Sequence, residues 1–293
     1  LQWPRAEADT IFEVKIPASH LEAFLAVARV GRFALAAKQL GLSQSALSQR
    51  ILNLESQLEK TLFVRDRAGS RLTPEGEGLL RYALAQEALE QEYLSRGGGA
   101  AGTIRVGGFS SVTRSLLLPA LAPLARELKI GLSVFSREVG TLPDLLRQGE
   151  ADLIALDREL EKEGVSSEFL GFEENVLVRG KKNTPAIYLD HDADDLTTQR
   201  YFQKFAGKSV KTLERRFLDD VYGIIDGVRL GLGQAVVPLH LVEGKPGVEV
   251  LDPGKVLRTP VWLHFPSQGY YPTVQRKARE LLIAYARARL AQK

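Results

Sequence analysis

The chain has 293 residues, 44% of them hydrophobic, enough for two or three domains with substantial cores. It has no apolar run of about 18 residues, which argues against a helical membrane span, and no cysteine, which removes disulfide, thiolate and zinc–thiolate chemistry. The net charge of +3 is small but unevenly placed. From Arg29 to Arg71 eight basic residues oppose three acidic ones, a net of +5, whereas Leu72 to Arg96 carries two basic and five acidic residues, a net of −3. A local basic field beside an acidic segment points to a polyanionic partner for the first part only.

The start, "LQWPRAEADTIFEVKIPA", carries acids and lacks a basic-then-apolar targeting pattern, so a cytoplasmic protein is expected, with residues 1–18 a leader without assigned role. Methionine is absent, which is unusual at this length; we expect methionine positions to have dropped out of the sequence, so motifs carry more weight than long periodicities.

"HLEAFLAVARVG" places Leu21, Phe24, Leu25 and Ala28 on one helical face and stops at Gly31. "RFALAAKQLG" predicts a second, alanine-rich helix ending at Gly41. Ser43 then caps a third, whose Leu47, Ile51, Leu54 and Leu58 fall on one inward stripe. Its other face shows Gln44, Ser45, Ser48, Gln49 and Leu52, with no acid before Glu55. Two helices meeting at a tight glycine turn, the second with a buried stripe and a Gln/Ser outer face, describe a helix-turn-helix whose second helix enters the major groove of double-stranded DNA. Glutamine suits adenine N6/N7, and serine donates or accepts at either base-pair type. We therefore assign base reading to Gln44, Ser45, Ser48 and Gln49.

"LFVRDRAGSRLTPEG" reads as strand, turn at Ala68–Ser70, and strand: a β wing. Its Arg65, Arg67 and Arg71 suit phosphates, as do Arg32 and Arg50 nearby. Thr73 and Pro74 open a long helix to about Arg96, apolar along Leu79, Leu80, Leu84 and Leu89, expected to pair with a second copy of itself in a homodimer or homotetramer.

With these motifs on the page ("LEAFLAV", "GRFALAAKQLGLSQSALSQRILNLE", "LFVR", "RLTPEG"), residues 19–96 resemble the DNA-binding and linker-helix region of LysR-type transcriptional regulators. The boundaries expected are a winged helix-turn-helix over 19–73, a linker helix over 74–96 and a hinge over 97–102 within "SRGGGAAG", whose glycines cannot sustain a helix.

Beyond the hinge, short apolar strands alternate with helices. Strands are expected at "TIRVGG", "IGLSVFS", "ADLIALD", "GFEENVLVRG", "AIYLD", "KSVKTLE", "GQAVVP", "GVEVLD" and "TPVWLHFP". Helices are expected at "SVTRSLLLPALAPLAREL", at "TLPDLLRQG" and from Thr273 to about Ala291. This gives a two-lobed α/β domain over 103–293, lobe one about 103–183 and 260–293, lobe two about 184–259, with a ligand cleft outside the strand ends. "TIRVGGFSSVTRSLLLPAL", "LLRQGEADLIALD" and "GVRLGLGQAVVP" also resemble the LysR-type effector domain, similar in fold to periplasmic substrate-binding proteins. The resemblance implies an effector site where the first strand meets a hydroxyl-bearing helix start, here Ser110, Ser111 and Thr113, with Thr212 on the facing lobe. Such a start suits a carboxylate, from a small carboxylate metabolite or amino acid, although simple N-capping explains any one hydroxyl equally well. Arg137 and Asp157 follow lobe-one strands and suit a charged ligand, whereas Glu138 reads as a surface charge.

Enzyme motifs fail. "AGKS" has Phe202 where a phosphate loop needs glycine, no Gly-x-Ser-x-Gly elbow occurs, and His20, His191, His240 and His264 are isolated, with no metal-ligand spacing. No catalytic residue, cofactor or metal is expected. The alternatives are a solute-binding protein and an architectural DNA-binding protein without effector.

Overall fold

The computed structural model describes residues 15–66, 69–94, 102–127, 130–180, 184–206 and 213–292, excepting the side chains of 65, 66, 91 and 92. The chain divides into two compact units, Leu1–Glu87 and Ala88–Lys293. Among the described residues no helix is long and apolar enough to cross a membrane.

In the first unit, helices α1 (Ala18–Val30), α2 (Phe33–Gln39) and α3 (Gln44–Leu58) precede an antiparallel hairpin of β1 (Phe63–Asp66) and β2 (Gly69–Leu72). Helix α4 (Pro74–Leu94) follows. Phe24, Val27, Leu47, Ile51 and Leu54 are at most 1% exposed and form one core with the α2 alanines Ala36 and Ala37. These alanines let α2 lie close to its neighbours, as the composition predicts. Phe63 packs its ring against Phe24 and Phe33, at centroid distances of 5.3 and 5.7 Å, and so ties the hairpin into that core.

Glu55 in α3 holds the chain where it enters the hairpin, its Oε1 accepting from Leu62 N–H (2.7 Å) and Phe63 N–H (3.3 Å). Thr73 caps α4 by accepting from Gly76 N–H (3.0 Å). A Cβ on Gly76 would lie 2.2 Å from the Leu62 carbonyl oxygen, so only glycine lets α4 start this close to the strand.

In the second unit, β3 (Thr103–Gly108), β4 (Gly131–Ser136) and β5 (Leu153–Leu156) are parallel, in the order β5-β3-β4. Between β3 and β4 the chain forms α5 (Ser110–Val112), a π-helical turn (Thr113–Leu117) and α6 (Leu118–Glu127). Helix α7 (Leu142–Arg147) joins β4 to β5. Two long strands, β6 (Val165–Arg179) and β11 (Leu257–Pro266), pair antiparallel along ten positions with a bulge at Val261/Trp262, and they run from one lobe into the other. β9 (Ala235–Pro238) and β10 (Glu249–Val250) pair with the far half of β6. The second lobe also holds the parallel pair β7 (Tyr188–Asp190) and β8 (Arg215–Phe217), and helices α8 (Thr197–Ala206), α9 (Val221–Arg229) and α10 (Leu239–Val242). Helix α11 (Thr273–Arg287) returns to lobe one, packing Ala278 and Leu282 with Ile104, Leu121 and Leu263.

Several expectations shift. Strand β6 runs 15 residues, starting well before "GFEENVLVRG", because it serves both lobes. The strand expected at "KSVKTLE" falls largely on residues outside the described set, and the observed strand is β8, just downstream. The hinge 97–102 lies outside the described residues except Gly102, as do residues 1–14 of the leader, Arg67 and Ala68 of the wing turn, and Thr212. Leu79 and Leu80, expected on a partner-facing stripe, are buried in the first unit's own core. The exposed apolar residues of α4 are Tyr82, Leu89, Tyr93 and Leu94.

Candidate functional site

The turn between α2 and α3 passes through Gly41, whose φ of 64° is left-handed, and leaves Ser43 to cap α3. Ser43 Oγ accepts from Ala46 N–H at 3.1 Å and lies 3.0 Å from Ser45 Oγ. With Leu47, Ile51 and Leu54 turned inward, Gln44, Ser45 and Gln49 are exposed and Ser48 and Arg50 half-buried. Gln49 Nε2 donates to Asn53 Oδ1 one turn on (2.9 Å), which aligns the two amides along the outer face. All four residues expected to read bases therefore share one end of one helix.

The basic residues frame that end. Arg32 is exposed at the N-cap of α2, and Arg71 is exposed on β2, cross-strand from Val64. Arg65 pairs by its backbone with Ser70, and its side chain lies outside the described residues. The hairpin is anchored to the C-cap of α1 because Ser70 N–H donates to the Gly31 carbonyl at 2.8 Å. Helix face and wing are thus set by the same small core. Such a surface, polar on a helix and basic at its margins, can hold phosphates and present amides to base edges.

In the second unit the expected effector residues separate by what their groups already do. Ser110 Oγ accepts from Val221 N–H at the start of α9 (3.3 Å), so this hydroxyl bridges the lobes. Ser111, buried, donates to Glu173 Oε2 (3.0 Å) on β6. Thr113 is buried and donates to its own helix at Phe109 O (2.9 Å), a bond that competes with ligand binding. Arg137 is exposed, donating to the Ser136 carbonyl with its guanidinium over Phe135. Asp157 lies 3.2 Å from Arg158 and 3.9 Å from Arg200 of lobe two.

Sequence reasoning missed the centre of this junction. Glu173 is 3% exposed, and burial pushes its carboxyl up to about 7 although the Ser111 hydroxyl opposes the shift. Its Oε1 has no hydrogen-bond partner and lies 3.8 Å from His240 Nε2. Burial and the charges of Arg289 and Lys245 hold His240 below its ordinary range, so the pair is not a simple ion pair at neutral pH. Beside it, Arg114 stacks 4.3 Å over the ring of Tyr222, again joining the lobes. Glu173, one of three glutamates on this strand, carries no signal of its own, because its partners are 62 and 67 residues away. The histidines also prove less isolated than their spacing predicts. His264 is fully buried between Ser167 Oγ (2.8 Å) and the Arg158 carbonyl (3.0 Å), and His191 has Glu138 and Asp219 for neighbours.

Comparison with known proteins agrees with this anatomy. The family model for the bacterial regulatory helix-turn-helix protein of the lysR family matches residues 18–77, and that for the LysR substrate binding domain matches residues 97–287. The HTH-type transcriptional regulator YofA of Bacillus subtilis is 28% identical over 83% of this chain and 85% of its own length. ShiR of Corynebacterium glutamicum is 29% identical over 84% and 86%. Among solved structures, ArgP of Mycobacterium tuberculosis superposes with a TM-score of 0.79 at 21% identity, covering 95% of this chain and all of that one. Full-length LysG of Corynebacterium glutamicum with bound effector Arg gives 0.77 at 19%, covering 93% and 99%.

Proposed function

This chain belongs to the LysR family of bacterial DNA-binding transcriptional regulators with an effector-binding domain, and from that premise we propose how it reads DNA and what controls it. Gln44, Ser45, Ser48 and Gln49 contact base edges in the major groove, while Arg32, Arg50, Arg65 and Arg71 hold phosphates. The observation that carries this reading is the division of α3 into a stripe buried to 1% or less and an outer face of amides and hydroxyls. Two copies, joined through the exposed Tyr82, Leu89 and Tyr93 side of α4, would meet a dyad-symmetric site. The protein would act in the cytoplasm, where its DNA is.

The effector is a small carboxylate metabolite, with an amino acid as the leading candidate, bound between the lobes near Ser110, Ser111, Arg137, Asp157 and Thr212. Support comes from Ser110 and Ser111, whose hydroxyls already join lobe one to lobe-two and crossing-strand groups, so a ligand competing for them changes how the lobes meet. The arginine held by LysG, a protein of similar fold, supports the same class. Two measurements test the proposal: binding of full-length protein to upstream genomic fragments against bulk DNA, and a thermal-shift screen of carboxylate metabolites on wild type and Ser110→Ala. Equal affinity for every fragment would overturn the DNA reading. A stabilising effector indifferent to Ser110→Ala and Ser111→Ala would move the effector site elsewhere.

A further inference from the structure

We propose that Glu138, His191 and Asp219 form a site for one divalent transition-metal ion that draws the two lobes together. Glu138 lies two residues beyond the end of β4 in lobe one. His191 directly follows β7, and Asp219 lies two residues beyond β8, in lobe two. One ligand atom from each lies within 4.8 Å of the others. The strands place these three groups together: β7 and β8 are parallel with Asp190 beside Phe217, so His191 and Asp219 leave the same end of that pair.

Charge is the second observation. Two carboxylates meet here, and among the described residues neither is ion-paired to a lysine or arginine; His191 Nδ1 lies 3.9 Å from the Glu138 carboxylate. Two acids elsewhere in this domain do have such cations, Glu174 with Arg258 and Glu168 with Arg287. Like charges this close favour a bound cation.

The imidazole decides which cation. His191 Nδ1 lies 3.1 Å from Asp192 Oδ2, and Asp192 is itself held by the amides of Asp194 (2.7 Å) and Asp195 (2.8 Å). Nδ1 is also the nitrogen that faces Glu138, at 3.9 Å, so an ion taken on Nδ1 would displace the Asp192 carboxylate from it. One imidazole and two carboxylates suit zinc, cobalt, nickel or manganese better than calcium or magnesium, which take oxygen ligands. In a tetrahedral site with arms of about 2.1 Å, ligand atoms sit roughly 3.4 Å apart. The present spread is wider, so an ion would pull Glu138 of lobe one toward His191 and Asp219 of lobe two. The metal would thus favour the closed arrangement of the lobes, in addition to any organic effector.

The test uses full-length protein stripped with a chelator and titrated with CoCl2, ZnCl2 and MgCl2, read by the visible absorption of cobalt, by stoichiometry and by melting temperature. The expected result is one cobalt per chain with new visible bands, a raised melting temperature with cobalt and zinc, and none with magnesium. Glu138→Gln, at an exposed position where the fold is not at stake, and His191→Ala should each weaken binding at least tenfold, and His20→Ala, on α1 of the first unit, should leave it unchanged. Bands that persist in both Glu138→Gln and His191→Ala, or no saturable binding below millimolar metal, would overturn the proposal. So would stabilisation by arginine or lysine but not by metals, lost in Glu138→Gln, which would give the site to an organic cation. DNA recognition stands apart from every one of these outcomes.

Discussion

Replacing Glu173 by glutamine should stabilise the effector domain at pH 8 and change it little at pH 5. The buried carboxyl has its proton affinity raised from 4.5 to about 7, chiefly by burial. The folded chain therefore keeps a proton that the unfolded chain releases near 4.5. Stability from this group is fully present below 4.5 and is lost as pH climbs through about 7, a loss on the order of 3 kcal/mol for a difference of this size. Glutamine has the same shape and can still accept from the Ser111 hydroxyl, but never ionises. At pH 8 the variant should gain up to about 3 kcal/mol over wild type, shrinking to less than about 1 kcal/mol at pH 5.

The buried His264 works the other way. Burial lowers it to about 4, so its contribution is present above about 6.5 and is lost as pH falls toward 4. In the wild type the two slopes oppose each other between about 4.5 and 6.5, and Glu173→Gln should uncover the histidine slope, with stability rising with pH. Urea denaturation at several pH values, followed by tryptophan fluorescence with Trp262 on β11, measures both. A variant less stable than wild type at pH 8, or an offset that does not change with pH, would refute the reasoning. It would mean that the carboxylate is charged and satisfied in the folded state.

Gln44→Ala and Gln49→Ala should each cost about 1–3 kcal/mol of operator binding and relax sequence preference, measured by competition against point-mutated sites. Arg65→Ala should weaken all sequences alike and reduce the salt slope by about 1. Arg215→Ala removes the guanidinium bonded to the buried Asp190 and to the carbonyls of Asp192 and Asp195, and should destabilise lobe two by about 3–5 kcal/mol in a denaturant titration. Leu89→Glu, at an exposed apolar position on α4, should shift the sedimentation profile toward monomer without altering the helical content of the chain; an unchanged profile would place the contact on another surface.

The stretch "AAKQLGLSQSALSQRI" carried most of what sequence alone could decide. Helix periodicity is local: Leu47, Ile51 and Leu54 announce their burial at spacings of three and four, and Gly41 and Ser43 announce a turn and a cap. The parallel strands were legible for the same reason, "TIRVGG" being matched residue for residue by β3. The linker helix was legible as a helix but not in its outward face. Leu79 and Leu80 look identical to Leu89 along the chain, and only the packing of α4 against α1 to α3 consumes the first two.

The effector junction shows the limit most clearly. Composition, periodicity and turn chemistry determined that this chain has a helix-turn-helix, a wing, a long helix and an α/β domain. Each of those signals arises within a few residues and survives any arrangement of the rest. Tertiary structure alone decided that Glu173 meets Ser111 and His240, and that His191 stands between Glu138 and Asp219. Those contacts join residues 28 to 81 positions apart, through the middle of β6 in the first case and through loops at strand ends in the second. A charge on a strand or in a loop has no local partner to betray it. Its environment, and with it its proton affinity and its chemistry, exists only once the sheets have placed the loops together.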